Sequence, residues 1–223
     1  MNATRTPLLL SLNGGYVDTL GFLSLHGLFT THVTGNFVTF GASLAHGTSG
    51  AVAKLLALPV FCVIVVATQL LGGALRKRGL PAFRLLLCAK AGLLAAAAGF
   101  AIRFGPFPDG DAWQALATGM VLVAAMAMQN ATHRLHLASA PPTTVMTMTT
   151  TQIMLDVASL LQRAPAETRG EATARIRRML PSVIAFALGC LVAAGLFIGL
   201  GVWAFLLPPL FAILPLLAGD SGQ

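Results

Sequence analysis

The sequence predicts an all-α, polytopic membrane bundle with about six spanning helices and two short re-entrant or broken helices. Composition is the first reason. Of the 223 residues, 56% are hydrophobic and only 9% are charged, and the mean hydropathy is +0.81. A soluble domain carries about 25% charged residues, so this chain lacks the polar side chains that would cover a water-exposed surface. Apolar runs near 20 residues are the second reason, because such a helix crosses a hydrocarbon core of about 30 Å.

The distribution of positive charge is the third reason. It distinguishes stretches that span the membrane from re-entrant segments, here called dips, which enter and leave the membrane on the same face. Eight apolar stretches follow one another, at about 7–28, 32–47, 51–75, 83–103, 113–131, 143–161, 179–199 and 200–218. If all eight crossed the membrane, the basic loops 76–84 and 162–178 would lie on opposite faces, although short basic loops mark the cytoplasmic face. The conflict disappears if the second and sixth stretches each enter and leave the membrane on one face.

Taken in order, the stretches then put every connection where its charge favours it. The first runs outward from the cytoplasm, and no small-residue cleavage site marks it as a removed signal peptide. The first dip enters from the outer face, and the third stretch returns to the basic loop 76–84. The fourth leads out to the acidic loop 106–111, the fifth leads back, and the second dip enters from the cytoplasm. The last two stretches leave both termini cytoplasmic.

This order gives the two halves of the single membrane domain 1–223 opposite orientations, with repeats over about 7–103 and about 113–218. Residues 15–36 can be laid over residues 127–150. In this alignment Asp18 meets Asn130, and with one residue of slippage Thr30, Thr31 and Thr34 meet Thr143, Thr144 and Thr147. Inverted repeats are common in secondary transporters, which bind substrate near the bilayer midplane with interrupted helices. The sequence therefore predicts an inverted repeat.

Three motifs also carry a resemblance to a known family. In order along the chain they are GYVD, GLFTTHVTGN and MQNATHR with PPTTVMTMT, and they resemble the signature of the YoaK-like bacterial membrane proteins, catalogued as a domain of unknown function. The second half departs from the first, because Thr147-Met148-Thr149 stands where the first half has Thr34-Gly35-Asn36. The resemblance implies a multi-spanning protein of the bacterial inner membrane, and it implies no substrate or reaction.

Asp18 lies near the middle of the first stretch, where an ionised carboxylate costs ~2.5–3.5 kcal/mol on insertion scales. Intramembrane ionisable residues are usually functional, so Asp18 is interpreted as a contact for a proton, an ion or a substrate. The alternative is a structural hydrogen bond to backbone amides of the neighbouring dip. His32 is a candidate for proton relay, because an imidazole titrates near neutral pH.

Each dip is predicted to be a loop followed by a short helix, beginning near Thr34 in the first half and near Thr147 in the second. The helix N-termini would point toward the bilayer centre with unpaired N–H groups, which suit an anionic or polar solute. The alternative is that the threonines bond i−4 carbonyls within ordinary helices. The candidate substrate- or ion-binding residues are Asp18, Thr30, Thr31, His32, Thr34, Gly35, Asn36, Gln129, Asn130, Thr143, Thr144 and Thr147.

Other classes of function lack support in the sequence. The five histidines show no i, i+4 metal pairing, and no nucleophile-elbow or phosphate-loop motif occurs, so no catalytic residue, metal or cofactor is predicted. Cys62, Cys88 and Cys190 lie in apolar runs without paired spacing and are expected to be core residues. The basic loops have no interleaved aromatic residues, which argues against binding of nucleic acid.

The predicted function is transport of a small solute, an anion or a polar metabolite, with proton coupling as one option. The alternative is a non-transporting membrane partner that acts in assembly or stress. Six spans are few to enclose a pathway, which favours a homodimer with the glycine-rich segments 70–73 and 195–201 at a close interface. Lys90 is expected to snorkel toward the headgroups, with pairing to Asp156 or Asp18 as the alternative.

Overall fold

The computed structural model describes residues 5–162 and 165–217. The elements are α1 (Arg5–Ser24), a 3₁₀ turn (Val33–Gly35), α2 (Asn36–His46), α3 (Ala51–Lys77), α4 (Ala82–Phe104), α5 (Trp113–His136), α6 (Met146–Leu161), α7 (Ala166–Leu200), a 3₁₀ segment (Gly201–Leu206) and α8 (Leu207–Leu217). No strand occurs within the described ranges, and the predicted all-α class is confirmed. The predictions for residues 1–4, 163–164 and 218–223 lie outside the described residues.

Two helices are longer than the apolar stretches that predict them. α5 continues from residue 131 to His136, because its last turn is basic and interacts favourably with the helix dipole. α7 begins at Ala166, 13 residues before the apolar stretch at 179, because Ala, Glu and Arg form helices well without being apolar. The final stretch is divided, since Gly201 adopts a positive φ of 53° and a 3₁₀ segment precedes α8.

Among the described residues, four helical segments are long and apolar enough to span a membrane: α3, α4, α5 and the run Ala166–Leu217 that contains α7 and α8. Their outward faces carry exposed apolar side chains such as Val63, Leu70, Leu191 and Ile198, which suit contact with lipid. α1 is not one of these four segments, and most of its side chains are buried, polar ones included. It is therefore the central helix of the bundle.

The bundle has two ends, named here after their loops: the basic end carries the loop 76–84 and the acidic end carries the loop 106–111. At the basic end, the Phe83 ring packs 5.5 Å from the His136 ring and clusters with Leu10, near Leu216. The start of α1 and the end of α8 therefore lie beside the α3–α4 connection. At the acidic end, Phe107 O lies 2.8 Å from His26 Nε2 in a hydrogen bond that the imidazole donates.

α7 runs parallel to α1. Leu8 and Pro181 line one cavity at the basic end, and Leu23 and Phe197 line another at the acidic end. The basic segment at the start of α7 therefore lies at the same end as the basic loop between α3 and α4. This is the arrangement that the charge pattern predicts.

α5 and α8 run antiparallel to α1. The Gln129 side chain near the end of α5 donates to Leu10 O at 2.9 Å, near the start of α1. In the last segment, Ala204 O accepts the Tyr16 hydroxyl at 2.8 Å, and Pro208 O accepts the Asn13 amide at 3.3 Å. Residues 201–217 therefore return toward the basic end after α7 has crossed to the acidic end.

The first dip enters and leaves at the acidic end. After α1 the chain turns and runs back beside it, until Thr30 and Thr31 reach Asp18. α2 then leads out again, and Ser49 Oγ lies 3.2 Å from His26 Nδ1. The segment between α1 and α3 is thus a re-entrant excursion and not a crossing.

The second dip enters and leaves at the basic end. After α5 the chain runs back along it, with Pro141 O 3.0 Å from His133 Nε2. α6 then returns and pairs with the first part of α7, where Arg175 Nη2 lies 2.8 Å from Asp156 Oδ1. Hydrogen bonds from the Arg175 guanidinium hold the pKa of the Asp156 carboxyl below its usual value.

The two halves pack crosswise. α1 packs along α7, and α5 packs along α3, so the first helix of each half contacts the long third helix of the other. Within each half, the dip helix contacts the third helix, α2 on α3 and α6 on α7. Corresponding helices of the two halves therefore make corresponding contacts, and the inverted repeat itself stays a prediction.

Candidate functional site

Asp18 attaches the first dip to α1. Its Oδ1 accepts the backbone N–H groups of Thr30 at 2.8 Å and Thr31 at 2.7 Å, and its Oδ2 accepts Nδ1–H of His32 at 2.6 Å. Only 5% of the Asp18 surface is exposed. Hydrogen bonds to a charged acceptor are strong, so three donors offset the cost of a carboxylate at this depth. Asp18 therefore makes the structural hydrogen bonds to backbone amides of the first dip that are the alternative interpretation of this residue, and it also binds the His32 imidazole.

Asn36 holds the first dip in its folded form. Its Nδ2 donates to Phe29 O at 2.7 Å, and its Oδ1 accepts the Phe29 N–H at 2.9 Å. One buried amide thereby closes the loop onto the start of α2. The preceding residue, Gly35, leaves room for the Phe29 ring, because a Cβ at position 35 would lie 3.1 Å from that ring. These two predicted site residues shape the dip.

Neutral side chains attach the second dip to α5. Thr144 Oγ1 donates to Asn130 Oδ1, and Gln129 Nε2 donates to Thr143 Oγ1 at 3.3 Å. Asn130 therefore holds the second dip as Asp18 holds the first, in agreement with the alignment of the two halves. The difference is that an amide brings no negative charge to the second dip.

Both dips reach α1 at Gly14. Thr31 Oγ1 donates to Gly14 O at 3.4 Å. A Cβ at Gly14 would lie 3.2 Å from Thr143 O and 3.5 Å from Gln129 Nε2. A side chain at this position would require the second dip to move by a few tenths of an ångström, so glycine favours this close approach. We call this meeting point, defined by Gly14, Thr31 and Thr143, the junction, and Asp18 lies one helical turn from it.

Thr34 and Thr147 do not join the junction. Both side chains are exposed, although the helices of the dips begin within two residues of them, at Asn36 and Met146. In α6 the Thr151 hydroxyl donates to Thr147 O at 2.9 Å, which is the i−4 bonding weighed as the alternative for the threonines. Of the twelve candidates, the structure thus gathers those near Asp18 and Asn130 and leaves these two outside.

Lys90 is a buried residue that the sequence did not assign to the site. It is 1% exposed, and its Nζ donates to Gln129 Oε1. The expectation that it snorkels to the headgroups is wrong, because the side chain points into the bundle toward α5. Pairing with Asp18 or Asp156 is wrong as well, since those carboxylates are bound by the first dip and by Arg175.

Cavities lie at the two ends of the contact between α1 and α7. The cavity at the basic end has a volume of about 250 Å³, and its lining includes Leu8, Ser139, Arg177, Arg178 and Ser182. The cavity at the acidic end has a volume of about 230 Å³, and its lining includes Ser24, His26, Phe107 and Phe197. The first of these is therefore positively charged.

The contact between these cavities is closed by close helix packing. A Cβ at Gly15 would lie 2.1 Å from Phe186 O, and a Cβ at Gly189 would lie 2.0 Å from Leu12 O. The Phe186 ring packs edge-on against the His32 ring with the centroids 5.7 Å apart. Phe186 therefore lies between the basic-end cavity and the Asp18–His32 pair.

One comparison with known proteins identifies the chain. A family model described as Protein of unknown function (DUF1275) matches residues 6–218, which extend from α1 to beyond α8 and include both dips. No curated protein and no solved structure matches the chain. The predicted membership of an uncharacterised family is confirmed, and the YoaK-like name stays a prediction. The chain belongs to the DUF1275 family of proteins of unknown function.

Proposed function

We propose that this protein carries a small anionic solute across the bacterial inner membrane through the junction of its two dips. The observation that supports this most directly is that the dips enter from opposite ends and meet at Gly14. Irregular backbone at such depth is tolerated only inside protein or beside a wet cavity. Two inverted interruptions of this kind form the midplane site of many secondary transporters.

Charge around the junction favours an anion over other polar solutes. The N–H groups of the first dip are already bound by the Asp18 carboxylate, whereas the second dip is held by the uncharged Asn130. The positive end of the α6 dipole therefore has no fixed negative partner on α5. Arg177 and Arg178 line the cavity that leads toward this dip, and they would attract an anion.

The closed contact between α1 and α7 corresponds to an occluded state of the transport cycle. Separation of these helices at one end would connect the junction to one cavity at a time. Phe186 is the side chain that must move before the basic-end cavity reaches the Asp18–His32 pair. In this proposal the basic end and both termini face the cytoplasm.

A homodimer is part of the proposal. Gly195 and Gly199 on α7 face open space, so a helix of a second copy could approach them closely. In the other glycine-rich segment only Gly73 faces open space, because Gly72 packs within the chain against Leu86 and Leu135.

Proteoliposomes test the transport function. We expect wild-type protein to release at least one of chloride, formate, acetate and phosphate faster than empty liposomes do. The Asp18→Asn variant should lose this flux while it remains folded in detergent, because the His32 imidazole beside the junction loses its carboxylate acceptor. Glu167→Gln makes the same chemical change at an exposed position of α7 and should keep the flux.

Two results would count against this function. If none of the four anions moves, the alternative of a non-transporting assembly or stress partner is favoured, and the exposed Phe37 and Val38 of α2 offer it a contact surface. If Asp18→Asn transports as well as the wild type over a range of pH, Asp18 has no part in the mechanism.

A further inference from the structure

Lys90 is a buried amine whose contact is a neutral side chain. It lies in α4 with 1% of its surface exposed, and its Nζ donates to Gln129 Oε1. The same Gln129 side chain donates to Leu10 O at 2.9 Å and to Thr143 Oγ1 at 3.3 Å. One amide therefore links the lysine to the second dip and to α1.

The carboxylates of the described ranges are engaged elsewhere. Asp18 is bound by the first dip, and Asp156 and Glu171 contact Arg175. Asp109 and Asp111 belong to the loop at the acidic end, and Glu167 is exposed at the start of α7. Within residues 5–162 and 165–217, no ion pair forms at Lys90.

The elements that pack on α4 bring no negative charge to this amine. The 3₁₀ segment and α8 contain no titratable side chain over residues 201–217. On α3 the charged residues lie near the ends of the helix, at Lys54, Arg76 and Lys77. On α5 the nearby titratable groups are His133, which is bonded to Pro141 O, and His136, which packs on Phe83. α1 carries Arg5, Tyr16 and Asp18, and its one carboxylate is bound by the first dip.

An ammonium in these surroundings is poorly compensated. Taking a charge out of water is expensive, and a single hydrogen bond to a neutral amide does not offset that cost. An uncharged amine donates the same hydrogen bond to Gln129 without the cost of removing a charge from water. The closed structure therefore fits a neutral Lys90.

We infer that Lys90 is the proton-exchanging group of the transport cycle, neutral while the junction is closed and protonated when water and solute reach the second dip. This inference rests on the proposed function and names its coupling ion. In the loading step, the Nζ lone pair takes a proton from hydronium, which leaves water and an ammonium. The new positive charge pairs with the anion, and the proton returns to water on the other side when the anion leaves. One proton then crosses with each anion.

Nitrogen NMR of ¹⁵N-lysine-labelled protein in liposomes tests the charge directly. The chain has three lysines, Lys54, Lys77 and Lys90, so single substitutions assign each signal. We expect the Lys90 Nζ to show the shift of a neutral amine at pH 7, whereas exposed Lys77 shows that of an ammonium. An ammonium signal for Lys90 overturns the inference, whatever the flux measurements give.

Substitutions at Lys90 supply a second test. Lys90→Met keeps the length of the side chain without the amine and should melt at or above the wild-type temperature. Lys90→Arg keeps a charge that cannot be released and should melt several degrees lower or fail to fold. The reverse order, with Lys90→Arg the more stable of the two, would mean that a structural cation is needed and would overturn the inference.

Flux distinguishes failure of this inference from failure of the proposed function. If wild-type protein moves an anion and an imposed proton gradient accelerates it, Lys90→Met should move that anion without any response to the gradient. An unchanged response in Lys90→Met overturns the role of Lys90 and leaves transport intact. If nothing is transported but the amine is neutral by NMR, the proposed function fails and the charge state stands.

Discussion

Alanine at Gly189 or at Gly15 is expected to remove most of the folded protein. A Cβ at Gly189 would lie 2.0 Å from Leu12 O and 2.9 Å from Tyr16 N, and a Cβ at Gly15 would lie 2.1 Å from Phe186 O. The neighbours are backbone atoms, which cannot rotate away, so α1 and α7 would have to separate. We expect the free energy of unfolding to fall by about 3 kcal/mol, which is at the upper end of the range for overpacked cores.

Gly170→Ala is the matched control on the same helix. This position faces open space and is not part of the proposed dimer contact, and alanine favours a helix over glycine by roughly 0.5–1 kcal/mol, so this variant should be as stable as the wild type or more so. Size-exclusion chromatography and thermal unfolding in detergent measure both sets. A Gly189→Ala protein that elutes and melts like the wild type would show that α1 and α7 do not touch as described.

Replacing Asp18 by alanine is expected to release the first dip. The buried N–H groups of Thr30 and Thr31 and the His32 imidazole would lose their acceptor. A buried donor left unpaired costs roughly 1–3 kcal/mol, so the two backbone N–H groups together cost about 2–6 kcal/mol. Asp18→Asn should cost only about 1 kcal/mol, because the amide oxygen still accepts the two backbone N–H groups.

Thermal unfolding and protease sensitivity of residues 25–50 compare these two variants. We expect faster cleavage in Asp18→Ala than in Asp18→Asn. If the asparagine variant is as unstable as the alanine variant, then the charge, and not the hydrogen-bond geometry, holds the dip. If neither variant changes stability, the dip is held by other contacts.

The positions of the dips could be predicted from the sequence because charge restricts topology. Eight crossings would place the two basic loops on opposite faces of the membrane. Both loops lie on one face if the short, polar stretches at 32–47 and 143–161 do not cross. Asp18 could be singled out for a similar reason, since a carboxylate at midspan needs partners. Its partners, Thr30 and Thr31, were within the predicted set.

Packing partners between distant segments could not be predicted in the same way. The sequence predicts Lys90 at the headgroups, and this is wrong because Gln129 on α5 faces it, a contact that a single sequence does not reveal. Gly15 and Gly189 mark the closest helix contact, but their neighbours depend on the register of α1 against α7. Small residues in apolar helices indicate a close helix contact, but they do not determine which helix makes it.

Cysteine accessibility tests the central claim, which is that two segments enter the membrane from opposite faces and return. Single cysteines at Arg5, Thr48, Ser139 and Glu167, in a protein without its native cysteines, can be treated with a membrane-impermeant maleimide in right-side-out and inverted vesicles. We expect the reagent to label Arg5→Cys, Ser139→Cys and Glu167→Cys from one face and Thr48→Cys from the other. Labelling of Arg5→Cys and Thr48→Cys from the same face, or of Ser139→Cys and Glu167→Cys from opposite faces, would mean that a dip crosses the membrane and would contradict the structure.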